Sequence, residues 1–198
     1  MIIGIDFDNT IVSYDSVIYQ TALEKKLISE STDKNKQSVK KEIIKNFSEN
    51  EWTFLQGYIY GKAMINAKMF DGVERFLKEM LTNGHKLYII SHKTKFPYMG
   101  PKYDLHKSAT NWIKENITSK NLITNYFFLE TKKEKIEKIN SLKCDYFIDD
   151  LEEILLDSNL KKDINKILFT HNKSEKEFTQ FIQASSWHEI REFFYGST

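Results

Sequence analysis

Five short apolar runs rich in β-formers punctuate the chain: Ile2-Ile3-Gly4-Ile5, Leu87-Tyr88-Ile89-Ile90, Tyr126-Phe127-Phe128-Leu129, Tyr146-Phe147-Ile148 and Ile167-Leu168-Phe169. Amphipathic segments separate them. Continuous apolar runs, rather than alternating ones, mark strands buried on both faces, and the helical stretches between supply the crossovers that parallel pairing needs. The pattern predicts an α/β fold with a doubly wound parallel sheet and helices on both of its faces. Val73, Phe76, Leu77, Met80 and Leu81 recur at helical spacing and stop at Asn83-Gly84; Leu105, Ala109, Trp112 and Ile113 mark a second helix. Thr131 with Glu134, and Ser186 with Glu189, each fit a capping box that opens a helix.

Between Tyr14 and Phe70 the pattern changes. This stretch is rich in Lys, Glu, Asn and Ser, lacks a strand signal, and carries helix-spaced apolar residues such as Ile43, Ile44 and Phe47. It reads as a mainly helical insertion, with a loop from Ser29 to Ser38. The predicted division is a core of residues 1–14 and 71–198 and an insertion of residues 15–70. Six aromatics of this region, Tyr14, Tyr19, Trp52, Phe54, Tyr58 and Tyr60, suit packing, with stacking on a sugar or base as the alternative. A second irregular stretch, Lys93 to Tyr103, holds both prolines, Pro97 and Pro101, and Gly100; it predicts a functional loop beyond a strand's carboxyl end.

Charge narrows the choice of partner. With 29 Lys plus Arg against 28 Asp plus Glu among 198 residues, no global field favours a nucleic-acid polymer or a membrane surface. Any phosphate recognition must then be local. The single cysteine, Cys144, excludes an internal disulfide and reads as core filler in a reducing compartment. The apolar start meets Asp6 at once and resembles no secretory signal, and no run reaches the ~18 apolar residues of a membrane span, so a cytoplasmic protein is expected.

The sharpest feature is Asp6-Phe7-Asp8-Asn9-Thr10, directly after the first strand. Two carboxylates at i and i+2, where a strand becomes a loop, can face one cleft, and buried like charges are costly without compensation. A second pair, Asp149-Asp150, follows the strand that begins at Tyr146. In a parallel sheet both strand ends open on the same edge, so the four acids could share a cation, and hard oxygen ligands suit Mg2+. Each pair alone could be a helix cap or turn. Ser91 ends another strand and offers a hydroxyl, while Lys132, Lys133 and Lys135 crowd the start of the helix capped by Thr131, where the dipole also favours an anion.

In this order the motifs resemble those of the haloacid dehalogenase (HAD) superfamily of phosphatases and phosphotransferases. Asp-x-Asp-x-Thr at Asp6 to Thr10 matches the first motif, Ser91 the second, a lysine among Lys132 and Lys135 the third, and Asp149-Asp150 the fourth. The resemblance implies a Rossmann-like core with the insertion as a small helical cap of type one. It implies Asp6 as nucleophile, forming an aspartyl phosphate, and Asp8 as acid and base. Mg2+ would be held by Asp6, by Asp8 through its backbone carbonyl, and by Asp149 or Asp150. Ser91 and the motif-three lysine, Lys132 or Lys135, would bind the phosphoryl oxygens, and Thr10 would brace the first loop beside them. His92-Lys93-Thr94-Lys95 replaces the more frequent Asn after Ser91; either His92 and Lys93 touch substrate, His92 as a further phosphate ligand, or His92 caps the next turn. His85 and His171 lack metal-ligand spacing and read as turn residues.

The presence of Asp8 disfavours dehalogenation within this resemblance and favours hydrolysis of a small phosphomonoester, a nucleotide or a sugar phosphate. The partner expected is thus a small phosphorylated metabolite. A receiver-type signalling module shares Asp, Mg2+, a hydroxyl and Lys, but it carries its acid pair first, its phospho-acceptor on a middle strand, and no inserted cap. A non-catalytic phospholigand-binding domain would have lost a catalytic acid, and none is missing. Protein phosphatase and phosphotransferase activities stay open within the enzyme class.

Overall fold

The computed structural model describes residues 1–170 and 179–196. In chain order the elements begin with β1 (Ile2–Ile5), β2 (Val12–Ser13), α1 (Asp15–Glu24), α2 (Lys36–Asn46), α3 (Glu49–Tyr60), β3 (Lys68–Met69) and α4 (Val73–Thr82). Then follow β4 (Lys86–His92), α5 (Leu105–Asn116), β5 (Asn125–Leu129), α6 (Lys132–Leu142), β6 (Tyr146–Asp149), α7 (Glu152–Leu155), β7 (Asn165–Phe169), β8 (Ile182–Ala184) and α8 (Trp187–Tyr195). The chain divides into two compact units, residues 1–12, 69–93 and 117–198 in one, and 13–68 with 94–116 in the other. The predicted insertion is the larger part of the second unit, which also takes in the Pro-Gly loop and α5.

The first unit is built on a six-stranded sheet in the order β5-β4-β1-β6-β7-β8, parallel throughout. The α/β, Rossmann-like fold expected from the sequence is therefore observed, and all five predicted strands are present. From β1 the chain winds outward through β4 to β5, then returns to the other side of β1 at β6. That reversal beside β1 opens a crevice at the carboxyl ends of the strands, the usual ligand position in such sheets. Ile3, Ile5, Ile89, Phe147 and Ile148 are fully buried, as central strands covered on both faces should be.

Local sequence explains the element ends. Thr131 accepts from Glu134 N and the Glu134 carboxylate returns to Thr131 N, so the capping box predicted for α6 is complete. At α8 only half of the second box forms: Ser186 accepts from Glu189 N, but the Glu189 carboxylate turns to Ser185. Helix α4 stops where predicted, with Gly84 at a φ of +77°. Cys144 packs in the cluster with Ile136, Ile139 and Phe147, and burial, aided by Asp145, pushes its thiol up to about 11, which leaves it the inert core residue expected.

The second unit is helical, as predicted, with two differences. Lys68–Met69 forms the short strand β3, which pairs with β2 in a separate two-stranded sheet. The loop ends earlier than Ser38, because Asn35 accepts from Ser38 N and so caps α2 at Lys36. Tyr14, Tyr19 and Trp52 are buried, and the Tyr14 ring meets Tyr60 edge to face at 4.7 Å; Phe54 is exposed. Gly57 of α3 and Gly61, just past its end, admit the loop from Pro97 to Tyr103. A Cβ at Gly57 would stand 2.8 Å from both Met99 O and Pro97, and one at Gly61 would stand 2.5 Å from Tyr103. Trp112 of α5 donates its indole N–H to Ala67 O at 2.8 Å. Among the described residues no helix is long and apolar enough to cross a membrane.

Candidate active site

All residues singled out from the motifs fall in the first unit. Ile5 pairs with Ile148, and Asp6 N donates to Ile148 O at 2.8 Å, so Asp6 and Asp149 leave adjacent strands at the same level. The chain then turns sharply. Ile11 N and Val12 N both donate to Phe7 O, and Asn9 takes a left-handed φ of 59°, which Asn tolerates well. Phe7 stays buried, edge-on to Phe128 at 5.6 Å, and so anchors the loop that carries Asp6 and Asp8.

Asp6, Asp149 and Asp150 come together, each offering a carboxylate oxygen within 4.8 Å of the others. Into this group reaches one ammonium. Lys135 Nζ donates to Asp6 Oδ1 and to Asp149 Oδ2, both at 2.6 Å, and its side chain is only 2% exposed. Asp149 Oδ1 accepts in addition from Leu151 N. The lysine arrives there because Lys135 shares the buried face of α6 with Ile136 and Ile139. The other two candidates go elsewhere: Lys132 pairs with Asp157 at 3.2 Å, and Lys133 lies exposed beside Glu137 at 3.9 Å.

Asp6 and Asp149 share the Lys135 ammonium, and Asp150 stands beside them. Burial pushes the Asp6 carboxyl well above the usual range, and Asp149 and Asp150 push it further, against the pull of Lys135. Burial alone would lower the Lys135 ammonium, but Asp149 and Asp6 more than reverse this and hold it charged. Three carboxylates with oxygens this close form a set of hard donors that fits Mg2+ better than a softer metal.

Asp8 stands outside this trio among the described residues. Its Oδ2 accepts from Lys93 Nζ at 2.6 Å, and the lysine side chain is 3% exposed. Ser91 is buried at the end of β4, whereas His92 is exposed, with ring Nε2 3.1 Å from Glu130 O. Thr10 is wholly buried; its carbonyl accepts from the Trp187 indole at 2.9 Å, and its hydroxyl has no partner among the described residues. His85 lies 3.3 Å from the amino terminus, and burial lowers its imidazole; His171 falls outside the described residues.

The pairing of Lys93 with Asp8 is the site feature that the motif order did not announce. A signal was available in the strand period: residues two apart on a strand face the same way, so Lys93 follows Ser91 inward and His92 points out. Of the seven buried polar or charged residues described, Asp6, Thr10, Ser91, Lys93 and Asp149 belong to these loops and strand ends and Lys135 to α6, leaving only Thr21 elsewhere.

The chain has the fold of the HAD-superfamily hydrolases, the fold that the resemblance read from its motifs implies. The structure is similar to that of a HAD-superfamily hydrolase from Ehrlichia chaffeensis, with a TM-score of 0.57 and 12% identity over 98% of this chain and 95% of that one. It is likewise similar to a predicted phosphatase from Clostridium acetobutylicum, with a TM-score of 0.62 and 18% identity over 99% and 98%. In sequence the chain is 27% identical, over 94% of its length and 95% of the relative's, to the Oceanobacillus iheyensis protein named Putative nucleotidase. No protein-family model matches the chain.

Proposed function

We propose that the protein is a HAD-type phosphatase that removes phosphate from a small phosphomonoester, with a nucleotide first among the substrate classes. The observation that carries this reading is the gathering of Asp6, Asp149 and Asp150 about the buried Lys135, at the ends of two adjacent parallel strands. The relative named a nucleotidase supports the substrate class.

In this reading Asp6 attacks phosphorus: a bond forms from its carboxylate oxygen, the ester P–O bond breaks, and Asp8 gives its proton to the leaving oxygen. Water then attacks the aspartyl phosphate, loses a proton to Asp8, and frees Asp6 and inorganic phosphate. Lys135 has three donors and spends two on Asp6 and Asp149, so the third serves a phosphoryl oxygen beside the Ser91 hydroxyl. Asp6, the Asp8 carbonyl, and Asp149 or Asp150 would hold Mg2+, which supplies charge neutralisation for the carboxylates and the incoming phosphate. The second unit contains most of the insertion that the resemblance reads as a cap.

The test is hydrolysis of p-nitrophenyl phosphate with Mg2+ and with chelator, for the wild type and Asp6→Asn, followed by a panel of nucleotides and sugar phosphates. Turnover that needs Mg2+ and vanishes in Asp6→Asn is expected, with a nucleoside monophosphate preferred. Undiminished hydrolysis by Asp6→Asn would overturn the nucleophile, and silence of the wild type on every ester would overturn the phosphatase.

A further inference from the structure

Lys93 has no part in the chemistry derived above, yet it is one of only two lysines buried among the described residues. Its backbone N donates to Leu129 O at 2.8 Å, which carries the β4–β5 ladder one residue past His92. The strand alternation therefore persists: Ser91 inward, His92 outward, Lys93 inward. Its Nζ lies 5.8 Å from the centroid of the Phe7 ring and 2.6 Å from Asp8 Oδ2. Taking an ammonium out of water costs several kcal/mol, and a lysine needed only for solubility would stay at the surface. Here the cost is spent on one oxygen of the side chain assigned to proton transfer.

We propose that Lys93 is a positioning residue for Asp8, its ammonium clamping Oδ2 so that the carboxyl group keeps one orientation toward the leaving oxygen. An ammonium only donates hydrogen bonds, so Oδ2 accepts, and a proton that Asp8 passes to the leaving oxygen travels by way of Oδ1. The leaving oxygen takes that proton as its bond to phosphorus breaks, and the Asp8 carboxylate left behind remains paired with Lys93. The inference rests on the phosphatase reading given above.

The experiment compares kcat/KM for two esters, p-nitrophenyl phosphate and a nucleoside 5′-monophosphate, in the wild type, Lys93→Met and Lys93→Arg. This parameter ends at leaving-group departure, so hydrolysis of the aspartyl phosphate does not enter it. The nitrophenolate leaves without help, whereas the nucleoside alkoxide needs the proton. A misplaced general acid should therefore cost the nucleotide at least about tenfold more than the aryl ester, within the range that acid catalysis spans. Lys93→Arg should restore the ratio of the two to within about threefold of the wild type. Partial misfolding lowers both rates alike and leaves the ratio unmoved; should Lys93→Met fail to fold, Lys93→Gln carries the same expected split. Equal losses on both esters, or none, would overturn the positioning role while Mg2+-dependent, Asp6-dependent turnover in the wild type still stood. A wild type inactive on both esters would overturn the phosphatase reading itself, and the role of Lys93 with it.

Discussion

Two lysines are buried in the same unit, and they are buried for different partners. Lys135 comes from a helix, lies between Asp6 and Asp149, and faces carboxylates that are themselves almost wholly buried. Lys93 comes from a strand end and meets Asp8, whose side chain keeps 19% of its surface in contact with solvent. The dielectric surroundings therefore differ even though both contacts are 2.6 Å long. Lys135 is part of the charge balance that lets three acids coexist. Lys93 holds Asp8, the group to which the proposed reading gives proton transfer, and that group stays partly open to solvent.

The largest effect that would sharpen this contrast is on stability. Lys135→Met leaves Asp6 and Asp149 without their counter-charge, and breaking a buried pair of this kind costs about 3–5 kcal/mol. Urea denaturation should show that loss; a loss under about 1 kcal/mol would mean that the carboxylates are neutralised by other means. Lys93→Met, whose partner is partly hydrated, should cost only about 1–2 kcal/mol by the same measurement, between the buried and the surface cases. Equal costs for the two variants would erase the distinction. Thr10→Val removes a buried hydroxyl that has no partner among the described residues and should raise stability by about 1 kcal/mol, read as a higher denaturation midpoint. A fall instead would show that the hydroxyl has a use in the folded protein. The smallest change is expected for Lys132→Ala, under about 1 kcal/mol, because Lys132 itself is more than a third exposed in its pair with Asp157. If its kcat/KM fell as far as that of Lys135→Met, the third motif would have to be placed one helical turn earlier.

The contrast also shows which parts of the molecule can be read from sequence. Asp6, Ser91 and Asp149 each follow an uninterrupted apolar run, and in a parallel sheet such positions converge whatever the details of packing. The choice among Lys132, Lys133 and Lys135 could not be made that way, since all three stand within one turn of a capped helix. Only the shared burial of Lys135 with Ile136 and Ile139 separates them. Lys93 was obscured because it begins a stretch of Lys, Pro and Gly that reads as loop, while its backbone still follows the strand. The third strand beyond β1, β8, escaped notice because three residues, Ile182–Ala184, carry too little apolar pattern to stand out. In the second unit, α2 begins earlier than composition suggested because the Asn35 side chain supplies a cap that hydrophobic periodicity does not register.

The grooved surface of α3 at Gly57 and Gly61 bears on how this fold can be exchanged between relatives. Residues 13–68 and 94–116 are separate in sequence but form one unit, and the loop from Pro97 to Tyr103 fills space that side chains at those glycines would take. A chimera that imports residues 13–68 alone brings a helix shaped for a loop that the host does not carry. Transplantation should succeed only when both segments travel together, so the heritable module is a pair of inserts rather than one.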